Sequence, residues 1–466
     1  MLEEHPRQRL NRRNRTHMDQ NILQAIRARM RAAGVAGATI EAFLAGVEKV
    51  AAGERGQIPE STIAPVEKLP SLESLPIADA ESATLLNQLG VIKLNGGLGT
   101  SMGLEQAKSL IKVKGDDTFL DFIAKQILRL RESNRAPKLA FYLMDSFSTQ
   151  GDTLAYLKKY PGLAIDGELD FVQSKVPKLD AETLLPVDWP AAPDLEWCPP
   201  GHGDLYPSLL GCGLLDKLLD LGIKFLFVSN ADNLGATVDL RLLNGFAASG
   251  NSFLMEVATR TPADRKGGHL TRRRADGRLL LRESAQCPVQ DETHFQDIKR
   301  HRFFNTNNLW IRLDHLKQEL EARGGVLPLA LITNVKTVDP RDAGSPKVIQ
   351  IESAMGSAIE CFGKTGAILV PRSRFAPVKT TSDLLALRSD AYRLTEDYLL
   401  ILDESRHGQP PVIDLDSKYY KLLADFEAAF PHGAPSLVHC ESLKVIGKKT
   451  FPANLVLRGK IEFTGE

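Results

Sequence analysis

The 466-residue sequence predicts an α/β fold: a mainly parallel sheet flanked by helices, with a small helical segment ahead of it and a short β segment behind it. Three observations predict this. Short apolar runs at 91–94, 140–144, 225–228 and 253–257 alternate with stretches of helical spacing, as buried strands and their crossover helices do. Segments rich in Gly, Asn, Asp and Lys follow such runs, at the strand ends where an open α/β sheet gathers its ligands. Val445, Phe451, Leu457 and Phe463 recur every six residues, the period of a parallel β-helix.

In chain order, Ile22, Leu23, Ile26 and Met30, then Ile40, Phe43, Leu44 and Val47, lie at helical spacing around Gly34 and predict a helical hairpin. Pro59, Pro65, Pro70 and Pro76 punctuate 53–76 as in a linker or surface wrap. Beyond Glu81 the strands alternate with helices at 118–131, 153–159 and 209–219. Leu443, Leu455 and Ile461 add a partial second series to the C-terminal recurrence, which suits either the start of a β-helix or an irregular β-meander. The expected divisions are 1–80, 81–395 and 396–466.

Hydrophobic content of 43% with 25% charged residues is that of a globular protein. Lys and Arg (58) balance Asp and Glu (58), so no net field favours nucleic acid or an anionic membrane, and a phosphate-bearing ligand must be held by local groups. The five cysteines, Cys198, Cys212, Cys287, Cys361 and Cys440, are scattered without metal-ligand spacing, which fits a reducing, cytoplasmic compartment. No apolar stretch approaches the length of a membrane span, and the segment 1–15 is polar and basic with no apolar run behind it, unlike a secretory signal. Its Arg7, Arg9, Arg12, Arg13 and Arg15 precede Met18 and read as a disordered arm or the trace of an upstream start.

The strongest local signal is Val91-Ile92-Lys93-Leu94-Asn95-Gly96-Gly97-Leu98-Gly99-Thr100-Ser101-Met102-Gly103, a strand running into a glycine-rich loop. Glycines let backbone N–H groups approach phosphate oxygens without a Cβ in the way, although a tight strand-to-helix turn has the same composition. Neither the dinucleotide fingerprint nor the P-loop pattern is met, since Ala107 stands before Lys108 where a P-loop needs glycine. Lys108 is placed either to neutralise phosphate or as a solvated surface lysine.

Gln173 ends an apolar run, and its amide can donate and accept together, as reading a pyrimidine edge requires. Pro199-Pro200-Gly201-His202-Gly203-Asp204-Leu205-Tyr206 builds a rigid loop suited to a flat base or a sugar hydroxyl. Val228-Ser229-Asn230-Ala231-Asp232-Asn233-Leu234-Gly235 places a carboxylate at a strand end, where it suits Mg²⁺ on a nucleotide or a helix N-cap. Arg282-Glu283-Ser284-Ala285-Gln286 and Asn305-Thr306-Asn307-Asn308-Leu309-Trp310 offer groups for vicinal hydroxyls, or ordinary Asn-rich turns. Arg372, Arg374 and Lys379 concentrate positive charge before a helix start capped by Ser382 or Asp383, which implies anion binding.

Taken together and in this order, over roughly 81–392, these segments resemble the UTP–glucose-1-phosphate uridylyltransferase family, the UDP-glucose pyrophosphorylases. The resemblance implies a Rossmann-like, GT-A-like nucleotidyltransferase domain with a short, left-handed β-helix-like C-terminal domain. It implies that Leu94, Asn95, Gly96 and Gly97 contact the nucleotide through their backbone, that Lys108 binds its phosphates, and that Gln173 and Gly201 hold the uracil. Asp232 then meets Mg²⁺ and the nucleotide. His202, Asn230 and Asn307 line the sugar-phosphate site, Glu283 lies near the hexose hydroxyls, Asn308 is structural, and Lys379 is catalytic and contacts the sugar phosphate.

The implied substrates are UTP and glucose 1-phosphate, joined by one in-line displacement without a protein nucleophile. Family members with a longer β-helix assemble through it, so an octamer is not expected here; a monomer or dimer is. The rival readings are an N-acetylhexosamine or broad-specificity UDP-sugar pyrophosphorylase, an NAD(P)-dependent oxidoreductase, and a non-catalytic nucleotide sensor. The last two leave Lys108, Asp232 and Lys379 without a joint role.

Overall fold

The computed structural model describes residues 19–465, so the basic arm with Arg7 to Arg15, and Met18, lies outside the described residues. Helices α1 (Gln20–Ala32) and α2 (Gly37–Ala51) form the expected hairpin, turning at Gly34 with φ +74°. Asp19 caps α1 by accepting the Asn21 N–H. The apolar faces of the two helices, including Ile26, Met30, Phe43 and Val47, bury against Val176, Leu179, Ile349 and Ile351. The hairpin therefore rests on a small antiparallel sheet made by Leu331–Thr337, Lys347–Ser353 and Leu179–Asp180.

The main sheet has ten strands among the described residues: β1 (Ile63–Pro65), β2 (Leu89–Asn95), β3 (Ala140–Asp145), β4 (Asp170–Val172), β5 (Phe225–Asn230), β6 (Phe253–Thr259), β7 (His269–Arg273), β8 (Leu279–Arg282), β9 (Phe303–Arg312) and β10 (Thr365–Leu369). Its spine runs β1-β7-β9-β5-β2-β3-β4, with β6 pairing β9 and β10, and β8 pairing β7. Strands β5, β2, β3 and β4 are mutually parallel, whereas β9 runs antiparallel to β5, β6 and β7. The sheet is thus mixed, and its parallel half holds the glycine-rich loop.

Helices α3 (Phe119–Ser133) and α4 (Gln150–Leu157) carry the crossovers β2 to β3 and β3 to β4. The chain then forms α5 (Leu205–Gly211) and α6 (Leu214–Asp220) before β5. The expected single helix over 209–219 is broken because Gly213 takes the left-handed conformation, φ +78°, between the two. Successive side chains point to opposite faces: Val91 and Phe227 join a core with Phe119, Ile123 and Trp310, while Ile92 and Val228 join another with Leu205, Leu209 and Ile311. Covering on both faces is why these strands read as continuous apolar runs.

The stretch 53–76 is more than a linker or wrap, because Ile63–Pro65 pairs with β7 and Ile63 is fully buried. Proline is tolerated there because β1 is an edge strand. After α7 (Leu240–Ser249), α8 (Leu313–Ala322) and α9 (Thr381–Arg388), the chain ends in β11 (Val412–Leu415), β12 (Ser436–Ile446) and β13 (Val456–Thr464). These three are parallel, stacking Ile413, Leu443 and Ile461 in one row and Leu415, Val445 and Phe463 in the next. Leu415, Phe426 and Val445 share a core with Leu384 and Leu385 of α9. No helix among the described residues is long and apolar enough to cross a membrane.

Candidate active site

Three parallel strands deliver their last residues side by side: Asn230 of β5 is in register with Leu94 of β2, and Asn95 of β2 with Asp145 of β3. The Asn95 side chain turns inward, donating to Asp145 Oδ1 at 2.6 Å and Thr153 Oγ1 at 2.9 Å, so only its backbone faces the loop cleft. The Ala231 N–H donates to the Leu94 carbonyl at 3.0 Å, which seats the Asp232 loop on the glycine loop. The Lys108 N–H then donates to the Gly97 carbonyl at 3.1 Å, folding the chain back so that Lys108 Nζ meets Asp232 Oδ2 at 2.7 Å. A paired ammonium and carboxylate, both partly exposed, stand at the mouth of a loop of backbone donors.

Gln173 is fixed from two sides: its N–H donates to the Asp145 carbonyl at 2.6 Å, and its Nε2 donates to the Gly201 carbonyl at 3.0 Å. Gly96 is required for that approach, since a Cβ there would lie 2.9 Å from Gln173 Oε1. Gly201 has φ +79°, and a Cβ on it would lie 2.9 Å from the Ser353 nitrogen. His202 Nδ1 accepts the Met355 N–H at 2.9 Å, and burial pushes the imidazole down to about 4. The ring is therefore neutral at pH 7, with its proton on Nε2 as the remaining donor.

The third part is a β-bulge. Across from Glu256 and Val257 the register of β9 slips, and Asn307 takes φ +59°, a conformation asparagine tolerates. The Asn305 amide braces it, donating from Nδ2 to Asn307 Oδ1 at 2.8 Å and accepting the Asn307 N–H at 3.0 Å. The Glu283 carboxylate fits only because residue 268 is glycine: a Cβ there would overlap it. Burial raises the Glu283 carboxyl to about 7, opposed by the nearby Lys379 ammonium and by Asn305. Lys379 is tied to the first part through its neighbour, as the Val378 N–H donates to the Asp232 carbonyl at 3.1 Å.

The sequence-derived residues thus fall into two sets: Leu94 to Gly97, Lys108, Gln173, Gly201, His202, Asn230 and Asp232 at the ends of the parallel strands, and Glu283, Asn307 and Lys379 at the bulge. Three local readings change. Arg372 is committed to Asp264, at 2.8 Å and 2.9 Å, and buried Arg374 to Glu256, at 2.7 Å and 2.8 Å, so neither is an anion site. Thr380 rather than Ser382 or Asp383 caps α9, with Asp383 the reciprocal member of its capping box. Asn308 is structural, fully buried and bound to Glu256 Oε2 at 3.0 Å.

Sequence reasoning passed over Asp145, Asp204 and Asn233. Asp145 ends a strand just as Asp232 nearly does, a signal that could have singled it out; it is fully buried and raised to about 7 by burial. Asp204 accepts the Ser174 N–H at 2.7 Å and braces the histidine loop. Among the described residues no three His, Cys, Asp or Glu side chains cluster as a metal cage. The single carboxylate of Asp232 fits Mg²⁺ that arrives on nucleotide phosphates, since that ion keeps few protein ligands.

The model of the UTP–glucose-1-phosphate uridylyltransferase family matches residues 40–458. The chain belongs to this family. It is 41% identical over 404 residues to the UTP–glucose-1-phosphate uridylyltransferase of Solanum tuberosum, covering 86% of this chain and 81% of the relative. It is 43% identical over 384 residues to that of Saccharomyces cerevisiae, with 82% and 74% covered. Its fold is that of a UDP-glucose pyrophosphorylase variant from Leishmania major, solved in complex with UDP-glucose: TM-score 0.90, 49% identity, 95% of this chain and 94% of the other. The UDP-glucose phosphorylase of Trypanosoma brucei matches with TM-score 0.86 and 48% identity over 95% of each chain.

Proposed function

We propose that this chain transfers the uridylyl group of UTP to glucose 1-phosphate, giving UDP-glucose and pyrophosphate. Family membership over 40–458 supports it. The observation that carries it in the site is the seam between Val378 and Asp232, which sets the Lys379 loop against the Lys108–Asp232 pair. Two lysines around one carboxylate suit a reaction in which negative charge builds on a transferring phosphoryl group.

In this reading the backbone of 94–97 cradles the nucleotide, and Gln173 and Gly201, already bonded to each other, present one rigid edge to uracil. His202 offers its Nε2 proton to the sugar phosphate; Asn230 and Asn307 flank it, and Glu283 accepts from hexose hydroxyls. A phosphate oxygen of the sugar attacks the α-phosphorus in line, and pyrophosphate departs. No protein nucleophile or general base takes part, because a phosphate monoester is already anionic at neutral pH. Lys108 and Lys379 align the reactants and stabilise the transition state. Mg²⁺ held by Asp232 and the nucleotide would neutralise charge on the leaving pyrophosphate.

We read the main domain, 81–395, as a GT-A-like, Rossmann-like nucleotidyltransferase fold, with 1–80 and 396–466 as flanking parts. The stacked rows of β11, β12 and β13 support reading the last part as the start of a β-helix. A cytoplasmic monomer or dimer is the proposed form. The test is pyrophosphate release by purified protein with Mg²⁺, UTP and glucose, galactose or N-acetylglucosamine 1-phosphate. Release with glucose 1-phosphate alone is expected; release with several sugars makes it a broad-specificity enzyme, and UTP binding without turnover makes it a sensor.

A further inference from the structure

We propose that Glu256, Arg374 and Asn233 are positioning residues that hold Lys379 in its working place; the inference rests on the catalytic role of Lys379 given above. Glu256 is fully buried in β6, yet its carboxylate meets four donors. Oε2 accepts from Arg374 Nε at 2.7 Å and Asn308 Nδ2 at 3.0 Å; Oε1 accepts from Arg374 Nη2 at 2.8 Å and Trp310 Nε1 at 2.9 Å. The two-point grip on a planar guanidinium fixes orientation as well as position.

Arg374 passes that order to both loops of the site. Its Nη2 donates to the Thr237 carbonyl at 2.9 Å, on the Asp232 side. Its own carbonyl accepts from Asn308 Nδ2 at 3.3 Å and from Asn233 Nδ2 at 3.1 Å. Asn233 Oδ1 in turn accepts the Ala376 N–H at 3.0 Å and the Gly235 N–H at 3.2 Å. With the Val378 to Asp232 bond two residues on, the chain from Arg374 to Lys379 is stitched to the Asp232 loop at alternate residues. None of the three side chains is catalytic; each acts through the backbone that carries Lys379.

A purely structural role for the cluster also fits its burial, so the test separates the two. Arg374→Lys keeps the charge and loses the fork. It is expected to lower kcat about 10-fold to 100-fold, the cost of a misplaced catalytic group, with the Kd for UTP by calorimetry changed by less than about 3-fold. In a Lys379→Ala background the same substitution is expected to change kcat by less than about 2-fold, because there is no ammonium left to misplace. Asn233→Ser leaves the Glu256–Arg374 pair intact and is read the same way, which covers an Arg374→Lys chain that does not fold. Losses that multiply in the Lys379→Ala background, or folded variants with full kcat, overturn the proposal. If Lys379→Ala itself keeps full activity, the assignment of Lys379 falls first and the positioning role falls with it.

Discussion

Lys379 and Lys108 enter the site by different routes, and substitution separates them. Lys379→Ala is expected to lower kcat by about 10²-fold to 10³-fold, as loss of a transition-state contact does, with little change in UTP affinity. Lys108→Ala should lower kcat and weaken UTP binding together, because its ammonium sits at the glycine loop against Asp232. Steady-state pyrophosphate release and calorimetry with UTP check both; equal effects on Kd would mean the two lysines share one role. Glu283 makes a prediction about pH. Burial raises its carboxyl from 4.5 to about 7, so across that window the folded chain keeps a proton that the unfolded chain has released. The stability from this group is full below about pH 4.5 and is lost as pH rises through about 7. Glu283→Gln cannot ionise, so its melting midpoint should gain on the parent's between pH 5 and pH 8, and a constant difference would refute the assignment. Residue types at these positions were legible in the sequence; their pairings were not. Arg372 and Arg374 read as an anion site because nothing local announces that Asp264 and Glu256, more than a hundred positions away, neutralise them.

At the scale of the element, the site is made of loops that close because particular positions lack a Cβ. Gly201→Ala places a side chain at φ +79° against Ser353, costing about 1–2 kcal/mol for the backbone alone. It should weaken UTP binding more than glucose 1-phosphate binding, because Gln173 leans on the Gly201 carbonyl. Gly96→Ala pushes on the same Gln173 amide from the other side and should show the same preference in calorimetry. The strands and α3 were legible because their apolar periodicity is local. The cap of α9 was misread because Thr380 and Asp383 form a reciprocal box, and a list of capping residues does not say which member stands outside the helix. The bulge at Asn307 was invisible, since a register slip is a property of two strands and not of one.

The whole molecule is two faces of core around one sheet, with the C-terminal strands continuing one of those cores beyond α9. Phe451 stacks on Phe430 with ring centres 4.5 Å apart at the heart of that continuation. Phe451→Ala should cost about 3–5 kcal/mol, seen as an early thermal transition or protease cleavage beyond residue 396 while UTP binding persists; a single undisplaced transition would show the segment to be independent of this contact. Sedimentation is expected to give a monomer or dimer, and an octamer would refute that reading. By itself the sequence determined the class of fold, the order of strands and helices along the chain, and the segments that meet at the site, because apolar period and glycine placement act over a few residues. Only the tertiary structure decided that β9 returns antiparallel to make the sheet mixed, that Ile63–Pro65 joins it, and that a buried Glu256–Arg374 pair stands behind Lys379. Those features depend on which distant segments exclude water together, and that free energy belongs to the assembled core rather than to any stretch of chain.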